Sequence, residues 1–222
     1  MNRGITPKGD AQTASLQGTA HPVILVEDDE LMRDEIVGLL SEVGYAVRAF
    51  AGADQLFAAE PEPSGVIILD LRLKGPSGLL MQQKLGQRAD IQIIFISGRA
   101  DVEDAVAAMK AGAFEFLVKP FRSQALIDAV GGAFDRLGDA RVEMSHVEAV
   151  RAAYESLTET EREIALLLAG GLRNKQVAFM SGKAENTVKV HRARVMQKMG
   201  VNSLIELSRQ LQRIGITGDG SA

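Results

Sequence analysis

An α/β domain built on a doubly wound, parallel five-stranded sheet, followed by a smaller all-helical domain, is the architecture that this 222-residue sequence predicts. Three observations predict it. Between residues 23 and 137 short, β-branched apolar runs alternate with amphipathic segments. Strands buried on both faces and helices laid against them give this alternation. After residue 138 the strand-like runs stop, and apolar positions recur only at three- and four-residue steps. The length suits one or two domains that each bury a core.

The elements follow in order. Residues 1–20 are rich in Gly, Thr, Gln, Ser and Ala, lack the apolar stretch of a signal peptide, and read as a disordered tail. The expected strands are 23–26, 45–50, 66–69, 91–96 and 114–118. The expected helices between and after them are 30–43, 53–59, 78–88, 102–111 and 123–137. Gly44 and Gly112 stand as C-terminal stops, and Ser77 and Ser123 as N-caps. Five strands alternating with five helices give a first domain at 21–137.

Gly138-Asp139 punctuates the chain. Met144, Val147, Val150, Tyr154 and Leu157 then form one apolar stripe, expected on a helical linker at 138–156. That stripe suits either docking on its own domain or pairing with a second copy. Thr158 followed by Glu161 is a capping box that opens a second domain at 157–214. Breaks at Gly170-Gly171, Ser181-Gly182 and Gly200 divide this domain into four helices. Residues 215–222 read as a frayed tail.

Composition narrows the function classes. The chain has no cysteine, which excludes disulfides and thiolate metal sites. No apolar run approaches membrane-spanning length, so a cytoplasmic protein is expected. The overall net charge of −4 hides an asymmetry: −7 over residues 21–137 and +2 over 138–222. Within 171–198 stand Arg173, Lys175, Lys183, Lys189, Arg192, Arg194 and Lys198, against Glu185 alone. Such a concentration marks a part of the chain that meets a polyanion, unless it is simply a solvated helix face.

In an open parallel sheet, function gathers at the carboxyl ends of the strands. Those ends carry Glu27-Asp28-Asp29, Asp70, Ser97 and Lys119-Pro120. Taken singly, each has a bland reading: a cap, a loop hydroxyl, a surface lysine. Taken together they suit phosphoryl chemistry. Magnesium sits between carboxylates and a phosphate, a carboxylate can attack phosphorus, and a hydroxyl and an ammonium can bind the transferred oxygens.

On these residues the first domain resembles the receiver domain of two-component signalling, a flavodoxin-like fold. The resemblance implies Asp70 as phosphoacceptor, Glu27 and Asp28 as the acidic pair holding Mg2+ with Asp70, and the Arg72 carbonyl as a further metal ligand. It implies Ser97 as the hydroxyl switch with Phe116 its aromatic partner, Lys119 as the phosphate-binding lysine, and a cis bond before Pro120. Asp29 leaves the register of the acidic pair open by one residue. The family's glycine eight residues after the phosphoacceptor is present as Gly78, but its proline four residues after is replaced by Lys74. Arg72 and Arg99 flank the route of attacking water, where two cationic side chains would slow hydrolysis of the phosphoryl group.

Residues 156–213 resemble the LuxR-type DNA-binding domain, and the pair resembles the FixJ/NarL response regulators. The motifs are Leu157 to Glu163, Gly170 to Ala178 and Asn186 to His191, with His191 to Met196 favouring the FixJ branch. Placed at 100° per residue, a helix over 184–199 turns Val188, Val195 and Met199 to the core, with His191 packed beside them and hydrogen-bonded. Asn186, Lys189 and Val190 face the other way as base readers. Lys175, Thr187, Arg192, Arg194 and Lys198 serve as flanking phosphate binders or edge contacts. The resemblance implies a sensor histidine kinase, double-stranded DNA and a second copy of the chain as partners. The dimer would form on phosphorylation or through the linker helix. It implies no enzyme beyond the receiver's own phosphoryl transfer and dephosphorylation.

Two other readings are open to the same residues. Haloacid-dehalogenase-type phosphatases also use an aspartate nucleophile, but carry a second aspartate where Arg72 stands. A regulator that ignores phosphate would use the first domain only as an interaction surface. RNA binding is disfavoured because the second domain lacks exposed aromatics of the kind that stack on bases.

Overall fold

The computed structural model describes residues 22–98 and 102–217. Arg99 and the expected tail at 1–20 lie outside them. The chain divides into two units, Met1–Arg141 and Val142–Ala222.

In the first unit, β1 (Val23–Val26), β2 (Val47–Phe50), β3 (Gly65–Asp70), β4 (Ile91–Ser97) and β5 (Glu115–Val118) form one parallel sheet in the order β2-β1-β3-β4-β5. Side chains alternate across the sheet, so each strand feeds two cores. On one face Ile24, Val26, Ile67, Leu69, Ile93 and Phe95 pack with Leu56, Met81, Leu85 and Ala108. Those four come from α2 (Ala53–Ala59), α3 (Gly78–Leu85) and α4 (Val102–Lys110). On the other face Val23, Leu25, Val66, Ile68, Ile94 and Ile96 pack with Ile36 and Leu40 of α1 (Glu30–Glu42). Leu126, Val130, Ala133 and Leu137 of α5 (Ser123–Glu155) complete that layer. This is the doubly wound, flavodoxin-like order, with the sequence reversal between β1 and β3.

The turns follow from local chemistry. Ser77 caps α3 by accepting from the Leu80 N–H, and Gly44 and Gly112 adopt positive φ after α1 and α4. Ser123, expected as a cap, is instead the first residue of α5. Strand β2 begins two residues later than expected, because Tyr45 is taken up in a turn whose N–H donates to Leu40 O.

The expected stop at Gly138-Asp139 is corrected: α5 continues through both residues. A glycine within a helix costs about 1 kcal/mol relative to alanine. Good helix formers on both sides outweigh that cost.

In the second unit, α6 (Glu159–Ala169), α7 (Asn174–Ser181), α8 (Glu185–Met199) and α9 (Leu204–Arg213) surround a core of Ile164, Leu168, Val177, Val188, Val195, Leu207 and Leu211. The capping box is formed: Thr158 Oγ1 accepts from Glu161 N–H, and Thr158 N–H donates to the Glu161 carboxylate. Of the apolar stripe, Val150 and Leu157 are buried in this core and Val147 and Tyr154 pack against it. Met144 remains exposed. The stripe is therefore used inside its own unit, which is the simpler of its two readings. Ile216, expected in a frayed tail, packs on the same core. Residues 218–222 are not among those described.

Candidate functional site

Strands β1, β3 and β5 deliver Glu27, Asp70 and Lys119 to one end of the sheet. Glu27 is 1% exposed, Asp70 6% and Ser97 fully buried. Lys119 Nζ lies 2.6 Å from Glu27 Oε2 and 3.0 Å from Asp70 Oδ2, a single ammonium shared by two carboxylates. Burial holds the Glu27 carboxyl above its ordinary value; the hydrogen bond from Lys119 opposes this, and the Asp70 charge adds to it. Burial also works against the Lys119 ammonium, but its hydrogen bonds to Glu27 and Asp70 outweigh that and raise its pKa. The Lys119–Pro120 bond is cis.

Asp28 completes the cluster. One carboxylate oxygen each from Glu27, Asp28 and Asp70 lies within 4.8 Å of the others. Asp29 does not join them. Its side chain accepts from the Met32 N–H as the N-cap of α1. The carboxylates that cluster are therefore Glu27, Asp28 and Asp70, with Asp29 engaged as a helix cap instead. Three hard oxygen donors at this spacing suit a divalent cation such as magnesium.

Loop geometry around Asp70 is tight. Arg72 N–H donates to Asp70 Oδ1 at 2.9 Å, and Gly78 N–H to Leu71 O at 3.0 Å. A Cβ on Gly78 would stand 2.7 Å from Asp70 O and 2.9 Å from Phe95 Cε1. This close approach accounts for a glycine eight residues after Asp70. Phe116 packs beside Phe95, with ring centroids 6.3 Å apart, and Lys119 N–H donates to Ser97 O.

Two contacts escaped the sequence reading. Arg33 donates to the Glu27 carbonyl at 2.9 Å, and Lys74 Nζ stands 3.4 Å from Asp28 Oδ2. Lys74 had a visible signal, its departure from the family's proline; Arg33 had none.

In the second unit, α8 buries Val188, Val195 and Met199 and exposes Asn186, Thr187, Lys189, Val190 and Arg194. Lys175 is exposed on α7. Arg192 is half-buried and donates to Asn174 Oδ1 at 3.1 Å. Lys189 lies 3.5 Å from Glu185, one turn earlier.

Lys198, expected among the flanking DNA contacts, is already paired within its own unit. Its ammonium is engaged by Glu161 Oε2 at 2.6 Å and by Ser156 O at 3.1 Å. His191 also differs from expectation: its buried Nδ1 has no hydrogen-bond partner among the described residues.

Comparison with known proteins agrees with both halves. Residues 23–131 match the response regulator receiver domain, and residues 155–211 match the bacterial regulatory proteins of the luxR family. Nodulation protein W of Bradyrhizobium diazoefficiens is 42% identical over 89% of this chain and 88% of its own length. The transcriptional regulatory protein FixJ of Rhizobium meliloti is 36% identical over 86% of this chain and 95% of its own. Among solved structures, the response regulator StyR aligns with a TM-score of 0.72 at 38% identity, covering 87% of this chain and all of that one. Full-length FixJ from B. japonicum aligns at 0.55 and 33%, covering 89% of this chain and 98% of that one.

Proposed function

From the premise that this chain belongs to the NarL/FixJ family of two-component response regulators, with a receiver and a LuxR-type DNA-binding domain, we propose that it is switched by phosphorylation of Asp70. The family regulates transcription and is not a family of enzymes; the proposal concerns how this chain does so. The shared Lys119 ammonium on Glu27 and Asp70 carries the reading. It fixes Asp70 Oδ2 at a cation and leaves Asp28, the most exposed of the three carboxylates, at the outer side of the cluster.

In this reading a sensor histidine kinase donates the phosphoryl group. An Asp70 carboxylate oxygen attacks phosphorus and forms the O–P bond as the P–N bond to the kinase's phosphohistidine breaks and the imidazole leaves with the electron pair; Lys119 and Ser97 bind the transferred oxygens. Glu27, Asp28, Asp70 and the Arg72 carbonyl would hold Mg2+, which when bound would supply positive charge to offset that of the incoming group. Ser97 and Phe116 then pass the change to the α4–β5 face. That face carries an apolar hollow lined by Val102, Val106, Met109, Phe116 and Val118, with Val102 74% exposed. An exposed apolar patch of this kind suits pairing with a second copy. A dimer presents two α8 helices, where Asn186, Lys189 and Val190 read bases and Lys175, Thr187, Arg192 and Arg194 contact the backbone of double-stranded DNA. A DNA-bound regulator of this kind works in the cytoplasm. In this reading the receiver domain is 21–137, the segment 138–156 is its helical linker, and the DNA-binding domain is 157–214.

The test is the intact mass after incubation with acetyl phosphate and magnesium. Wild type gains one phosphoryl mass and sediments as a dimer, whereas Asp70→Ala does neither. A gain that survives in Asp70→Ala overturns the assignment. Dimerisation and DNA binding without any gain would favour the regulator that ignores phosphate.

A further inference from the structure

The cations around the three carboxylates are unevenly shared. Lys119 serves Glu27 and Asp70. Asp28, with its side chain 16% exposed, is faced by Lys74. The loop after β3 puts Lys74 there by alternation: Leu71 and Leu73 are buried, while Arg72 and Lys74 point out. Gly75, at φ 133°, then turns the chain away. The Lys74 side chain is itself 86% exposed, so the contact is a solvent-screened surface pair rather than a packed one.

With every group ionised, three carboxylates against two ammoniums leave the cluster with one net negative charge. Without Lys74 it would carry two, matching a divalent cation. An ammonium 3.4 Å from Asp28 Oδ2 occupies the approach to the most open carboxylate of the three. It also repels a divalent ion wherever in the cluster that ion settles.

We propose that Lys74 is a built-in counter-cation for Asp28 that any divalent cation must displace, so that this residue lowers the magnesium affinity of the cluster. The inference rests on the reading of Glu27, Asp28 and Asp70 as a cation site. A proline at this position, usual in the family, supplies no such competitor. Lys74 makes the receiver less readily loaded with metal, and so less readily phosphorylated when magnesium is scarce. Two oppositely signed consequences of salt separate this from a general field effect. Salt weakens magnesium binding in every variant, but it screens the exposed Lys74–Asp28 pair as well. The difference between wild type and a variant without the lysine therefore narrows as salt rises.

The experiment is calorimetric titration of the full chain with magnesium chloride at low and at high ionic strength. It compares wild type, Lys74→Ala, Lys74→Glu, Lys74→Arg and Asp28→Asn. Lys74→Ala should bind roughly two- to fivefold more tightly at low salt, on the scale of an exposed ion pair. Lys74→Glu should bind more tightly still, and Lys74→Arg should match wild type. Circular dichroism checks that the exposed substitutions leave the fold intact. Equal affinities in wild type, Lys74→Ala and Lys74→Glu, with Asp28→Asn still weakened, overturn the role of Lys74 alone. No magnesium binding by wild type overturns the cation site and this inference together.

Discussion

Lys198, on the last turn of α8, holds Glu161, on the first turn of α6, at 2.6 Å. Glu161 is 3% exposed and also closes the capping box with Thr158. Two donors, the Lys198 ammonium and the Thr158 N–H, thus converge on one carboxylate oxygen, and α8 is tied to the N-terminus of its neighbour. The hydrogen bond from Lys198, followed by that from the Thr158 N–H, lowers the Glu161 pKa from 4.5 to about 2. A depressed carboxyl stabilises the fold fully above its unfolded pKa and loses that contribution as pH falls through its folded one. Glu161→Gln should therefore destabilise the chain at pH 7. The gap to wild type should shrink below about pH 4.5 and close near pH 2. Urea denaturation of both proteins between pH 2 and 7 reads this directly; a gap that is constant with pH would show that charge on Glu161 contributes nothing.

The same contact sets what Lys198 should contribute on DNA under the proposed reading. A lysine that stays on a buried carboxylate neutralises no phosphate and so displaces no counterion from the DNA. Arg194, one turn away and exposed, has no protein partner among the described residues. Arg194→Ala should lower the slope of log affinity against log salt by about 1. Lys198→Ala should leave that slope unchanged while costing the second unit about 1–3 kcal/mol, the penalty for a buried acceptor that loses its charged partner. Fluorescence anisotropy on an operator duplex at four salt concentrations separates the two, once thermal melts confirm that the Lys198 variant is folded at the assay temperature.

Periodicity reports which face of a helix is buried, not which partner a side chain finds. That is why α8 was legible in its core residues Val188, Val195 and Met199 and not in Lys198, whose partner lies 37 residues earlier. The same limit applied to the stripe from Met144 to Leu157: the spacing announced an apolar face but could not choose between its own core and a second copy. Strand ends were more readable, because alternating burial and a parallel order force Glu27, Asp70 and Lys119 to one edge. Asp29 needed the cap geometry at Met32 before it could be set apart from the carboxylate cluster. Gly138 misled because a helix stop requires a positive φ or a competing cap, and a glycine inside a run of good helix formers supplies neither.

Gly78 shows how closely the loop is fitted to Asp70. Its Cβ position would meet Asp70 O at 2.7 Å, Phe95 Cε1 at 2.9 Å and Leu71 Cα at 3.0 Å. Two of these three atoms are backbone, so the overlap cannot be relieved by a rotamer change. Gly78→Ala should cost about 1–3 kcal/mol, the range for overpacking a well-filled site. Because the displaced atoms include the Asp70 carbonyl, phosphoryl uptake should fall as well, even at temperatures where the variant is folded. Gly38, on α1, has nothing within 4 Å of its Cβ position. Gly38→Ala is the matched control and should be neutral or slightly stabilising in urea denaturation. Equal midpoints for the two variants would show that the loop after Asp70 is looser than its geometry implies.

Lys119 does two things that a single substitution can separate. It supplies the cation that keeps Glu27 and Asp70 from repelling one another, and it stands where a transferred phosphoryl group would develop charge. Lys119→Ala removes both influences that lower the Glu27 pKa through this lysine, its hydrogen bond and its charge. Burial and the Asp70 charge, which raise it, remain. In metal-free protein the Glu27 carboxyl should therefore titrate at a higher pH than in wild type, as read by carbon-detected NMR. Labelling from acetyl phosphate should fall by roughly tenfold or more, as expected for loss of a preorganised charge at the reacting group. Lys119→Arg should restore the Glu27 titration better than the labelling, because a planar guanidinium can pair with carboxylates but does not reproduce the compact ammonium. A Glu27 titration unchanged in Lys119→Ala would mean that the shared ammonium does not govern the electrostatics of the site, and any loss of labelling would then have to come from contact with the phosphoryl group alone.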